Sequence, residues 1–238
     1  MFKKILLTLL VLTLLPVSAF ADDERGFIES SYKVSKEFAP EVATVVFVVE
    51  TKDKSPKVAA DKNKGISSAV LKILKSKINP AAGDKVVSKG YTVSPRYIYT
   101  NKKRKLDAYS AYHRIQVKTS SVDGLGAFID AALSAGATEA SNISFSLKNE
   151  SKNCRKLVSE ASKNAKADAE AIAISIGEKL RGVKSVHYSC SSNDYYRPMY
   201  AKAGAMMESS AQNEPTKIEA SSIKINANVR VQFFVMAK

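Results

Sequence analysis

Residues 38–51 read FAPEVATVVFVVET, and this stretch decides the fold class. In an extended chain successive side chains alternate between faces. Val42, Val46 and Val48 then share one face, and Ala43, Val45, Phe47 and Val49 share the other. A strand apolar on both faces is covered on both, by a layer on each side or by a partner subunit on one.

Downstream of it, Lys57 to Ile78 has the helical period, with Ile66, Ala69, Val70, Ile73 and Leu74 recurring at three- and four-residue spacing. Asn79-Pro80 ends that helix, because the residue before a proline avoids the α region. Two strands are expected next. Val86–Thr100 carries Tyr91, Val93, Tyr97 and Tyr99 on one face, and Ala108–Thr119 alternates Tyr109, Ala111, His113, Ile115 and Val117 against polar residues. NKKRKLD, Asn101 to Asp107, lies between them as a hairpin tip. A second helix is expected over Ser121–Ala135, closed by Gly136, and a strand over Ala140–Leu147. Strand–helix–strand thus occurs twice.

The longest predicted helix is Ser151–Ile176. Cys154, Leu157, Val158, Ala161, Ala165, Ala169, Ile172 and Ile176 fall within one arc, and its middle is alanine. Gly177 closes it, and Leu180–Cys190 returns as a strand. Ser222–Met236 is a long alternating strand with one dry face. The fold class that follows is α+β: a mixed sheet with strand–helix–strand units, one long Ala-rich helix and a long C-terminal strand. Residues 22–36 are polar and read as a loose lead-in.

The first 21 residues, MFKKILLTLLVLTLLPVSAFA, carry Lys3 and Lys4, an apolar run from Ile5 to Leu15, and Ala19-Phe20-Ala21. This is the pattern of a secretory signal peptide cleaved after Ala21. The run is too short to span a bilayer, and no later stretch is long and apolar enough. The expectation is an exported, periplasmic, single-domain protein spanning 22–238 with no transmembrane segment after cleavage. The net charge of +14 is consistent with solubility or with contact to an anionic envelope surface. The export address argues against nucleic acid.

The chemistry-bearing residues are sparse. No G-x-S-x-G, H-E-x-x-H or C-x-x-C string occurs. His113 and His187 stand far apart without companions at ligand spacing and read as surface strand residues. No metal and no cofactor is expected, and the reading is not an enzyme. The alternative is a periplasmic enzyme or redox protein using Cys154 and Cys190. Those two cysteines are expected to form a disulfide. Cys154 is on the buried arc one turn from the start of the long helix, and the returning strand covers about the same length, roughly 33 Å, bringing Cys190 back beside it. The other reading is two separate buried thiols.

Two surface features remain. Lys102, Lys103, Arg104 and Lys105 are either a solvated hairpin end or a contact for anionic envelope lipid or polymer. Residues 191–217 form an irregular stretch holding Tyr195, Tyr196, Met199, Tyr200, Met206 and Met207. It reads as a disordered loop, an oligomer contact or a soft-metal site.

The ordered set of strings resembles the SIMPL family. The matching segments are APEVATVVFVVET at 39–51 with the Asn63-bearing helix after it, GYTVSPRYIYTNKKRKLDAYSAYHRIQVKT at 90–119, and DGLGAFIDAALSAGATEASNISFSL at 123–147. The Ala-rich helix and the closing strand complete it. The family's opening strand corresponds to SSYKVSKEF at 30–38. Members include an oxidative-stress defence protein and a periplasmic immunogenic protein. The resemblance implies an α+β fold, a periplasmic or outer-surface location and, for some members, large ring- or channel-like homo-oligomers. It implies no catalytic residues. The function expected is a non-catalytic secreted protein acting through self-assembly or envelope binding, in envelope or oxidative stress tolerance.

Overall fold

A computed structural model describes residues 26–193 and 216–237. Its elements, in chain order, are β1 (Phe27–Phe38), β2 (Val42–Asp53), α1 (Pro56–Lys77), a 3-10 turn (Pro80–Ala82), β3 (Lys85–Thr100), β4 (Lys103–Thr119), α2 (Leu125–Ser134), β5 (Glu139–Ser146), α3 (Glu150–Ser175), β6 (Glu178–Asn193) and β7 (Ile223–Ala237). The fold is α+β, with the long C-terminal strand. The strands divide between two sheets, ordered β1-β7-β6 and β3-β4-β2-β5, and every ladder is antiparallel.

The four-stranded sheet explains the repeated strand–helix–strand unit. β2-α1-β3 and β4-α2-β5 are interleaved, with β4 between β2 and β3 and β2 between β4 and β5. This is the split β–α–β, ferredoxin-like arrangement. One face of β2 behaves as the sequence requires. Ala43, Val45, Phe47 and Val49 are buried with Ile115 and Val117 of β4, Val70 and Leu74 of α1, and Leu125, Phe128 and Ile129 of α2.

Of the two covers expected for the other face of β2, a second layer or a partner subunit, the described residues of this chain do not supply a helical layer. Val46 and Val48 are instead flanked in register by Gln116 and Arg114, and Val48 is still only 4% exposed. Arg114 extends along this face to the ring of Tyr112. The residues beside Val46 and Val48 on β4 thus have long polar side chains with apolar stems.

A buried polar clamp seats α1. The Asn63 side-chain amide donates to the carbonyls of Val49 (2.8 Å) and Ala111 (2.9 Å), on β2 and β4, and its oxygen accepts from the Ser67 hydroxyl. Asp84 plays a similar part before β3. Its carboxylate accepts from the backbone of Asn79 and Ser120 and from the hydroxyls of Thr119 and Ser120. Burial pushes its carboxyl up, but these donors outweigh that and hold it below the ordinary aspartate range.

The three-stranded sheet packs against α3. Leu157, Ala161, Ala165, Ala169 and Ala173 of the helix are buried, and Ile28, Val229, Val231 and Phe233 face the alanines. Small side chains let the helix lie close to the sheet. The buried stripe follows the i+4 row to Ala173, so Ile172 and Ile176 lie off it and are exposed, contrary to the expected arc.

β1 replaces the lead-in expected over residues 22–36, in line with the strand implied by the resemblance. It is an edge strand pairing β7 from Phe27↔Phe234 to Phe38↔Ile223. Its charged residues, Glu29, Lys33, Lys36 and Glu37, disguise it in the sequence. The two sheets are tied by residues 216–220. Thr216 bonds the Asp130 carboxylate of α2 through its N–H and hydroxyl, and Ile218 and Ala220 join the α1–α2 core. A side chain at Gly126 would collide with the Thr216 carbonyl.

Candidate functional site

The hairpin of β3 and β4 is tighter than the sequence indicates. The turn is Asn101-Lys102 alone, with φ 52° and 61°. Two consecutive positive-φ residues make a type I′ connection, whose twist suits a hairpin. Lys103, Arg104 and Lys105 are therefore on β4, opposite Thr100, Tyr99 and Ile98, and are not tip residues. They look like a loop in the sequence because a two-stranded ribbon exposes both of its faces.

This ribbon reaches beyond the rest of its sheet. β2 pairs β4 only from Tyr109 to Thr119, leaving residues 96–108 paired with each other alone. An isolated two-stranded hairpin is marginal in water. Here it is supported by Arg104 stacked over Tyr97, 3.6 Å from the ring centroid, and by ion pairs of Asp107 with Lys54 and Arg96. The arm leaves Tyr97, Ile98, Tyr99 and Leu106 exposed, Tyr99 by 76%. Lys102, Lys103 and Lys105 are exposed too, and none has an ion-pair partner among the described residues. Aromatic rings with a polar tip and adjacent cations suit a boundary between water and an anionic surface.

At the base of the arm lies a cleft the sequence reading missed. Its volume is about 480 Å³, and α1 (Asn63, Lys64, Ser67, Leu71) faces Ser88, Tyr91 and His113 across it. A register shift between Ser88 and Gly90 leaves Lys89 unpaired. Such a bulge re-aims side chains and sets Ser88 on the same side as Tyr91 and His113. The Ser88 hydroxyl lies 2.9 Å from His113 Nε2, and the Tyr91 ring meets the imidazole edge-on at 5.8 Å. Burial pushes the His113 pKa down, which favours the neutral ring. His113 is thus half-buried under α1 and not a surface residue as expected. The only sequence signal was Gly90 inside a strand pattern. The pair has the hydroxyl–imidazole contact of acyl-transfer sites, but no carboxylate is hydrogen-bonded to the ring among the described residues.

Cys154 and Cys190 are bridged, with Cα atoms 6.0 Å apart. The bond joins the first turns of α3 to the far end of β6. It lines an open groove of about 1060 Å³ between the two, with Arg155, Val158 and Tyr188. Tyr195, Tyr196, Met199, Tyr200, Met206 and Met207 lie outside the described residues, as does the leader 1–21. His187 is on β6. Among the described residues no cluster of His, Cys, Asp or Glu could hold a metal ion, and no helix is long and apolar enough to cross a membrane.

The structure therefore defines an α+β protein: a ferredoxin-like sheet carrying a basic, aromatic arm, joined to a disulfide-stapled helix–sheet layer. Residues 28–233 match the SIMPL family, described as a protein of unknown function (DUF541), and the chain belongs to that family. No curated protein matches it.

Proposed function

We propose that this chain is an exported, non-catalytic envelope protein that self-associates and binds anionic envelope surfaces through the β3–β4 arm. The observation that carries the reading is the arm itself. Tyr97, Ile98, Tyr99 and Leu106 are exposed on a ribbon that no other described element covers, beside Lys102, Lys103, Arg104 and Lys105. The Cys154–Cys190 bridge supports an oxidising compartment. Near an anionic membrane each Lys or Arg contributes about 1 kcal/mol, so binding through this group is salt-sensitive. Sedimentation with phosphatidylcholine vesicles, with and without phosphatidylglycerol, tests it. The parent should pellet only with the anionic vesicles. Lys102→Glu with Lys103→Glu should lower the bound fraction several-fold, as should half-molar salt. Equal pelleting of parent and variant would refute the arm's role.

A further inference from the structure

Among the described residues the two sheets present four edge strands, β1 and β6 in one and β3 and β5 in the other. An unpaired edge offers a row of backbone donors and acceptors to any other chain, and proteins blunt such edges with charge, bulges, proline or shortness. β1 is blunted by Glu29, Lys33, Lys36 and Glu37. β3 carries Lys85, Lys89 and Arg96, a bulge and Pro95. β5 has eight residues, with Glu139 and a register shift. The first half of β6 is blunted as well. Its register shifts between Leu180 and Gly182 and again between Val183 and Ser185, leaving Arg181 and Lys184 at the irregularities.

The second half of β6 has none of these devices. From Val186↔Val231 to Asn193↔Lys224 its pairing with β7 is unbroken, and the run VHYSCSSN contains no Lys, Arg, Asp, Glu or Pro. Val186 and Tyr188 stand 51% and 70% exposed. By register with Val231 and Val229 they are on the face that carries α3. The groove between α3 and this run is lined by one acid and one base, Glu150 and Arg155, and neither has an ion-pair partner among the described residues. The disulfide fixes the run from behind, through Cys190 to α3.

We propose that β6 residues 186–193 are a docking edge for the same strand of a second copy of this chain. The two strands pair antiparallel about a two-fold axis near Ser189, continuing the three-stranded sheet across the axis. Side chains directly opposite in such a ladder share a face. Both α3 helices then lie on one side, and the two grooves join into a single trough. Val186 and Tyr188 of each copy line its floor. A two-fold contact uses the same patch twice, so it must be self-complementary. A groove with an unpaired Glu150 and an unpaired Arg155 meets that requirement, as does a neutral edge.

This inference rests on the self-association reading and names its surface. The test uses the full oxidised chain and the double variant Val186→Lys with Tyr188→Lys, whose side chains are exposed enough to leave folding intact. Light scattering with size exclusion gives the mass from 1 to 100 µM, and thermal melting checks the fold. The parent should be a dimer or larger even-numbered assembly. The variant should run at half the parent's mass or less, with an unchanged dilute melting midpoint. Hydrogen exchange of amides 186–193 should slow in the parent as concentration rises, and stay fast in the variant. A parent assembly that persists in the variant, with no concentration-dependent protection at 186–193, overturns this edge while self-association stands. A parent monomeric at 100 µM overturns both, and assigns the edge to residues of the same chain or to another protein.

Discussion

Around β2–β5 the core is filled by Phe47, Leu74, Ile115, Leu125 and Phe128. Around α3 it is filled by Ala161, Ala165, Ala169 and Ala173 against Val229, Val231 and Phe233. Each buried methylene contributes about 0.8 kcal/mol, so an alanine stripe supplies far less burial per turn than a stripe of leucine. The first region holds itself by size and by one buried amide, Asn63. The second is thin and close-packed, and a covalent bond sits at one end, where Leu147, Leu157, Ile223 and Ile225 make a small further cluster. The difference teaches that the disulfide secures the region with the least apolar volume. That same region carries the unblunted strand edge, which must stay straight to pair.

The largest effect is expected on removal of the bridge. Cys154→Ser with Cys190→Ser releases a sequence separation of 36 residues, a loop worth between about 3 and 4.7 kcal/mol in the chain-entropy model. Urea unfolding should show a loss of that order. A loss below about 1 kcal/mol would mean the alanine layer is self-sufficient.

Next comes the clamp in the other region. Asn63→Ala leaves the Val49 and Ala111 carbonyls without the donor they share, and should cost on the order of 3 kcal/mol. The amide is fully buried, so both carbonyls depend on it for a protein donor at this position. An unchanged urea midpoint would show that α1 is held by Val70 and Leu74 alone.

The smallest effect is pH-dependent and belongs to Asp84. Its folded pKa is lowered, so its contribution is fully present above the unfolded value of about 3.9. It is lost as the pH falls through the folded value. Asp84→Asn replaces a charged acceptor of four hydrogen bonds by a neutral amide and should be on the order of 1–2 kcal/mol less stable than the parent at pH 7. That gap should narrow below about pH 4. A gap constant down to pH 2 would remove the charge from the account.

The parts legible in the sequence were those with a clean period. β2, α1, α3 and β7 follow from Val45–Val49, Val70–Leu74, Leu157–Ala169 and Ile223–Val235. The bridge followed from matched lengths of helix and strand. β1 did not, because an edge strand alternates charge with a few apolar residues and looks like a polar leader. The arm's length did not, because Lys103–Lys105 are held in the strand by backbone pairing with Ile98–Thr100 and alternate no apolar residues, which leaves no periodic trace. The Ser88–His113 cleft was hidden by the bulge at Lys89, which shifts every earlier residue of β3 to the other face relative to simple alternation. The division of strands into two sheets depends on where α3 packs, and no local pattern states that.

The bridge secures the α3 region and leaves the ferredoxin-like sheet to its own core. Hydrogen exchange read by mass spectrometry, comparing the parent with the Cys154→Ser, Cys190→Ser chain in dilute solution, tests this most directly. Exchange should be faster at the start of α3 and along β6 from Val186 to Asn193, with β2 and β4 unchanged. Faster exchange of equal size in β2 and β4 would contradict it, because the two regions would then be one cooperative unit with no division of labour between side-chain volume and covalent bond.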